Sequence, residues 1–171
     1  MTDSQSPVAN SADTTPVLSL QAVYLKDASF EAPAGPRSEG DWNPNISLDL
    51  QTSSASIEGD LREVVLTVTV SAKHGERTLF LVEVKQAGAF VMANLAEDDF
   101  KRAVATVAPG VLFPYARAAV SGLVSLGGFP QLLLPPVNFD ALYENAAAQQ
   151  AQAPSPLSLI HISEPTRLGM I

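Results

Sequence analysis

The sequence has no cysteine, which excludes disulfides, thiolate metal sites and a cysteine nucleophile. Histidine is almost as scarce. The two residues, His74 and His161, stand far apart without ligand-spaced neighbours, so no metal site is expected. Positive charge is short too. Ten lysines and arginines face eighteen aspartates and glutamates, a formal net charge of −8, and such a surface repels nucleic acid phosphates. A basic partner suits it better. No window reads as a membrane span, because the most apolar one carries Arg117 among several glycines and prolines. The first sixteen residues, MTDSQSPVANSADTTP, have neither the basic start nor the apolar run of a secretion signal, so cytoplasm is the expected location. No Gly-rich phosphate loop follows a strand, and no GxSxG elbow occurs. No catalytic constellation and no cofactor are expected.

What is present is a core. With 171 residues, 46% of them hydrophobic, the chain is long enough for one domain with a substantial interior. Residues 1–16 lack periodicity and are expected to be disordered. The domain is placed at 17–148 and a tail at 149–171. A first strand is expected over about 18–30, with Leu20, Ala22 and Tyr24 on one parity. Asp27 and Glu31 share the other parity with Val23 and Leu25. The connection APAGPRSEGDWNP, rich in proline and glycine, holds the single tryptophan, Trp42. In 45–51, Ile46, Leu48 and Leu50 alternate with Ser47, Asp49 and Gln51 as a half-buried strand does. TSSASIEGD is expected to turn the chain. Over 61–72, Val64, Leu66, Val68 and Val70 form an inner row in a Val- and Thr-rich strand. KHGE makes a hairpin, and over 77–87 Phe80, Val82 and Val84 face in while Leu79, Leu81, Glu83 and Lys85 face out.

Helical spacing takes over downstream. A segment between Phe90 and Ala108 is expected to start near Asp98 or Asp99, acids that favour a helix N-terminus, and to stop at Pro109. A long helix is expected over 111–126, with Pro114 in its first turns and Val120, Leu123 and Val124 as its stripe. Gly127 and Gly128 end it. FPQLLLPP is apolar yet barred from regular structure by Pro130, Pro135 and Pro136. Asn138 caps a short last helix with Phe139, Leu142, Tyr143 and Ala146 on one face. Short turns between strands give an antiparallel meander, and its inner row needs helices to cover it. The expected class is α+β: a four-stranded antiparallel sheet with helices packed on one face. From pattern alone, the apolar loop is covered by its own domain or lines a groove open to a partner. A small α+β enzyme is the other class considered, but the inner rows offer it no buried acid or base.

The order LFPYAR, then GGFPQLLLPPVNFDALY, with the earlier YLKDASFEAP and DWNP, resembles the SecB family of bacterial protein-export chaperones. The resemblance runs from about residue 18 to 144. It implies the same four-stranded sheet followed by helices, and a chaperone that holds unfolded secretory precursors without ATP. It implies delivery to the SecA motor and assembly as a dimer of dimers, a homotetramer, through the long helix. A version dedicated to one client, such as a toxin–antitoxin pair, is the alternative within the family.

Site expectations follow from that resemblance. The client groove is expected at Trp42, Ile46, Leu48 and Leu50, facing Phe139, Leu142 and Tyr143, with part of the Ile46 row left to the core. SecA, through a small basic zinc-containing module, is expected at Asp27 and Glu31 of KDASFE and at Leu81 and Glu83 of LFLVEV; the zinc belongs to the partner. Val82 and Val84 should support the assembly helix and its stripe Val120, Leu123 and Val124 from beneath. The family's tail is polar and often acidic. LSLIHISEPTRLGMI, 157–171, is apolar and resembles translated sequencing-adapter sequence, so the native C-terminus is expected to be missing.

Overall fold

The computed structural model describes residues 14–36 and 42–152, together with the backbone of 162–164. Residues 1–13 of the segment expected to be disordered and most of the tail therefore lie outside the described residues. Four long strands form one antiparallel sheet: β1 (Val17–Glu31), β2 (Asn45–Glu58), β3 (Leu61–His74) and β4 (Arg77–Ala93). Their order is β1-β4-β3-β2, so the 32–44 connection carries the chain from one edge to the other. A three-residue strand, β5 (Ile162–Glu164), pairs with the free edge of β2 opposite Leu48–Leu50, which gives the tail a place the sequence reading did not foresee.

The expected inner rows are the core. Val64, Leu66, Val68 and Val70 on β3 and Phe80, Val82 and Val84 on β4 are fully buried. β2 and β3 run past their expected ends. TSSAS continues β2, and the chain turns only at Gly59 and Asp60. Gly59 and Gly75 each open a two-residue hairpin turn at positive φ, the backbone such turns require. β4 likewise continues to Ala93 rather than stopping near 87.

Bulges correct the expected parities. In β1 the register slips between Leu20 and Ala22, and again between Leu25 and Asp27. Each slip adds one residue and reverses the alternation. Leu20, Val23 and Leu25 therefore oppose Phe90, Gly88 and Gln86, whereas Tyr24, Asp27 and Glu31 oppose Ala87, Lys85 and Leu81. Tyr24 thus shares a face with Asp27 and Glu31, and Val23 and Leu25 do not. In β4, Ala72 pairs with Phe80 but Lys73 with Thr78, leaving Leu79 as the extra residue. The bulge turns Leu79 inward, and it is buried instead of facing out.

Among the described residues, helices cover one face of the sheet only. α1 (Glu97–Arg102) opens with Glu97, Asp98 and Asp99, which favour its N-terminal dipole. A π turn (Ala103–Val107) joins it to α2 (Ala108–Leu126). Pro109 does not stop the helix. It has no N–H for the carbonyl four residues back, and the chain widens by one residue just before it, the Ala108 N–H reaching back five residues to the Ala103 carbonyl. Pro114 is consequently well inside α2 rather than in its first turns. Ala108, Leu112, Ala116, Val120 and Val124 recur every four residues and are buried against β4 and β3, while Leu123 is partly buried. Gly88 lets Leu112 approach the sheet closely, since a methyl there would lie 2.9 Å from Leu112 Cδ2.

The two glycines after α2 do different work. Gly127 keeps helical dihedrals, and a side chain there would overlap the Phe30 ring. Gly128 supplies the positive φ that ends the helix. The 129–138 stretch has no regular structure, as its prolines require. Asn138 then caps α3 (Phe139–Gln152), its Oδ1 accepting from the Ala141 N–H at 3.0 Å. α3 is longer than expected because the alanines and glutamines after Asn145 are strong helix formers.

Candidate functional site

A groove of about 450 Å³ lies between the outer part of β2, the α1–π segment and α3. Leu50, Thr52 and Ser54 form its floor, Phe100, Lys101, Val104 and Ala105 one wall, and Phe139, Leu142, Tyr143 and Gln150 the other. Alternation explains the floor: Leu50 pairs with Val68 and Thr52 with Leu66, both on the helix-covered face. Helical spacing explains the first wall, since Phe100 and Val104 are one turn apart, as are Lys101 and Ala105. α3 lies lightly on this structure. Phe139 is its buried anchor, its ring 5.9 Å edge-on from Phe113, and Arg102 reaches Asp140 over 2.9 Å.

The expected client residues fall into two places joined by one row. Leu50, Phe139, Leu142 and Tyr143 line the groove. Trp42 sits at the opposite end, its ring 5.9 Å from Phe129, within an aromatic group that includes Phe30 and Phe80. Ile46 and Leu48 connect the two along β2; Ile46 is buried in the core and Leu48 is half-buried. The sequence reading missed Phe100, Lys101, Val104 and Ala105, although the stripe 100, 104 was available to it. It also missed Phe129 and Phe30 as the partners of Trp42.

The other face of the sheet carries no helix among the described residues, and the expected acidic residues meet there. Glu31 opposes Leu81, Ser29 opposes Glu83, and Asp27 opposes Lys85. Lys85 Nζ lies 3.4 Å from Asp27 Oδ2 and 3.5 Å from Glu83 Oε1, and these two carboxylates, Asp27 foremost, raise the Lys85 pKa above its ordinary value. Thr69 Oγ1 donates to Glu83 at 3.4 Å. A second cluster crosses β4 where it carries only Ala87 and Ala89. Lys26 and Tyr24 on β1 both donate to Glu63 on β3. The Lys26 bond, then the Tyr24 bond, holds the Glu63 carboxyl below its ordinary value, and the same contact pushes the Tyr24 phenol up.

Among the described residues no group of three or more histidines and carboxylates is placed to hold a metal. One helix, 97–126, is long and apolar enough to cross a membrane by length and composition alone, and it is the stretch that carries Arg117. Its apolar stripe is buried against the sheet, as in a core helix.

A family profile described as SecB, Preprotein translocase subunit SecB, matches residues 11–150. The chain is 46% identical over 154 residues to the protein-export protein SecB of Pseudomonas putida, an alignment covering 90% of this chain and 96% of that one. It is also 46% identical over 144 residues to that of Pseudomonas fluorescens, covering 84% and 89%. Among solved structures, a SecB-like chaperone of Mycobacterium tuberculosis in complex with an antitoxin peptide superposes with a TM-score of 0.61 at 15% identity. That match covers 71% of this chain and 91% of the other, and it shows a shared fold. An uncovered sheet face, a helix-bordered groove and this degree of sequence identity over nearly the whole domain place the chain in the SecB family of protein-export chaperones.

Proposed function

We propose that the chain is an ATP-independent holdase that grips unfolded precursor polypeptides in the groove and delivers them to SecA, which docks on the uncovered sheet face. The observation that carries this reading is that the apolar row and the acidic residues lie on opposite faces of one sheet. A client can then be held while a second partner docks. The groove volume is within the roughly 300–1,000 Å³ typical of binding clefts, and its walls are mostly apolar. Each client side chain buried there contributes about 1.5–3 kcal/mol before the loss of client freedom is subtracted. Several such grooves on a cytoplasmic homotetramer raise the effective affinity without sequence specificity. Val82 and Val84 support the assembly through α2, whose stripe of Val120, Leu123 and Val124 packs over them.

The test separates the two faces. Leu142→Ala with Tyr143→Ala strips one groove wall and should weaken binding of an unfolded client while SecA binding stays near wild type. Glu31→Lys with Glu83→Lys should weaken SecA and leave the client held, with the SecA contact also fading as salt rises. Both titrations are run on both variants by calorimetry. Normal client holding by the alanine variant would place the groove elsewhere, and undiminished SecA binding by the lysine variant would make the acidic face mere solvated surface.

A further inference from the structure

The carboxylates on the uncovered faces of β1, β3 and β4 differ in what they already hold. Glu63 is taken by Lys26 and Tyr24. Glu31 has no ion-pair partner among the described residues. Asp27 and Glu83 share one ammonium, that of Lys85, which comes directly from the strand position opposite Asp27 and two residues along from Glu83. The sequence reading noted Lys85 only as outward-facing. Its amino group occupies the point where the two carboxylates converge.

We infer that Lys85 is the specificity-determining residue of this face: its ammonium is a built-in cation that any docking partner must displace from between Asp27 and Glu83. The inference rests on the reading of the face as a docking surface for SecA. Replacing one ammonium by another between the same two carboxylates exchanges like for like, and so gains little. A partner gains only by what it adds elsewhere, at Glu31 and at the exposed Leu81. A loose basic segment of an unfolded client, bringing charge without a fitted surface, is therefore rejected, while a folded basic module with an apolar contact is retained. Without Lys85 the patch would attract both through charge alone.

The test uses the full chain and two probes, SecA and an octalysine peptide, titrated by calorimetry at low and high salt. Lys85→Gln should bind octalysine at least about threefold tighter than wild type at low salt, with the gain gone near about 0.5 M salt. The gain for SecA should be smaller, so that the preference for SecA over octalysine falls. Lys85→Arg restores a cation and should behave as wild type. The triple variant Lys85→Gln, Asp27→Asn, Glu83→Gln should show no octalysine gain. Unchanged octalysine binding by Lys85→Gln, a gain that survives in the triple variant, or a SecA gain equal to that for octalysine would each overturn the inference. If wild type fails to bind SecA at all, the docking reading falls, and the octalysine arm still decides whether Lys85 screens the patch.

Discussion

Arg102 Nη2 donates to Asp140 Oδ1 over 2.9 Å and ties the end of α1 to the first turn of α3. The pair links the two helical segments that form the groove's walls. Both side chains are more than half exposed, so the bond is screened and holds position more than it holds the fold. Asp140→Asn should leave the melting temperature nearly unchanged and speed amide exchange in α3. Exchange in α2 should not change. Equal rates in α3 before and after would show that the Phe139 anchor alone seats the helix.

Gly127 and Phe30 make a sterically exclusive pair. A methyl on Gly127 overlaps the Phe30 ring, which is itself stacked 5.8 Å from Phe80 in the core. Gly127→Ala should therefore destabilise by about 1–3 kcal/mol, as overpacking does. Adding Phe30→Leu, which clears the ring, should recover part of that loss. Denaturant titration of the two variants checks it, and an additive double variant would show that the overlap is relieved by backbone movement instead.

Acid should act partly through Glu63. Its carboxyl titrates below the ordinary value of 4.5, first because of Lys26 and then because of Tyr24. A depressed folded-state pKa contributes stability that is present above the unfolded value and is lost as pH falls through the folded one. Stability should decline below about pH 4.5 as this cluster protonates. Glu63→Gln should be less stable than wild type near neutral pH and should lose less on acidification. Parallel stability–pH curves for the two proteins would rule the cluster out as a contributor.

Val84 is fully buried beneath α2. Val84→Glu places an unpaired charge there, at a cost on the order of 3–5 kcal/mol. Light scattering should show loss of the tetramer, either to dimers or to unfolded chain. A wild-type chain that is monomeric at micromolar concentration would remove the proposed assembly.

Deleting 157–171 removes the three residues paired to the edge of β2 and leaves the four long strands intact. The melting temperature should shift by no more than a few degrees, and client holding should persist. A larger fall on thermal denaturation would make the tail a structural part of the domain.

Alternation made the sheet interior legible: Val64 to Val70 and Phe80 to Val84 needed only a period of two. The bulges were not legible, because a one-residue slip leaves composition unchanged and is fixed by pairing with β4. Strand parity put Asp27 and Glu31 on the outward face, where the register has them, but it put Val23 and Leu25 there as well, because the bulge between Leu25 and Asp27 was not legible. Leu50 came from the alternation of β2, and Phe139, Leu142 and Tyr143 from one face of the last helix; the resemblance set the two opposite each other, and the structure lines one groove with them. Phe100 and Val104 stood at helical spacing in the expected helix before Pro109, but that spacing does not say which element they face. The continuation of the helix through Pro109 was not legible, because the widening of the turn ahead of it depends on packing that no local pattern reports.

That π turn has a further consequence. Two prolines, Pro109 and Pro114, withdraw two amides from a helix that runs unbroken from 97 to 126. Such a rod does not melt as one unit. Its later part is riveted to β4 every four residues, while its first ten residues carry few buried side chains and end at the widened turn. Under mild stress the segment bearing Phe100, Lys101, Val104 and Ala105 is the part set to loosen first. The wall that would meet a client is thus the compliant end of a beam whose other end is fixed, so the grip can reshape around each new chain without disturbing the frame that carries it.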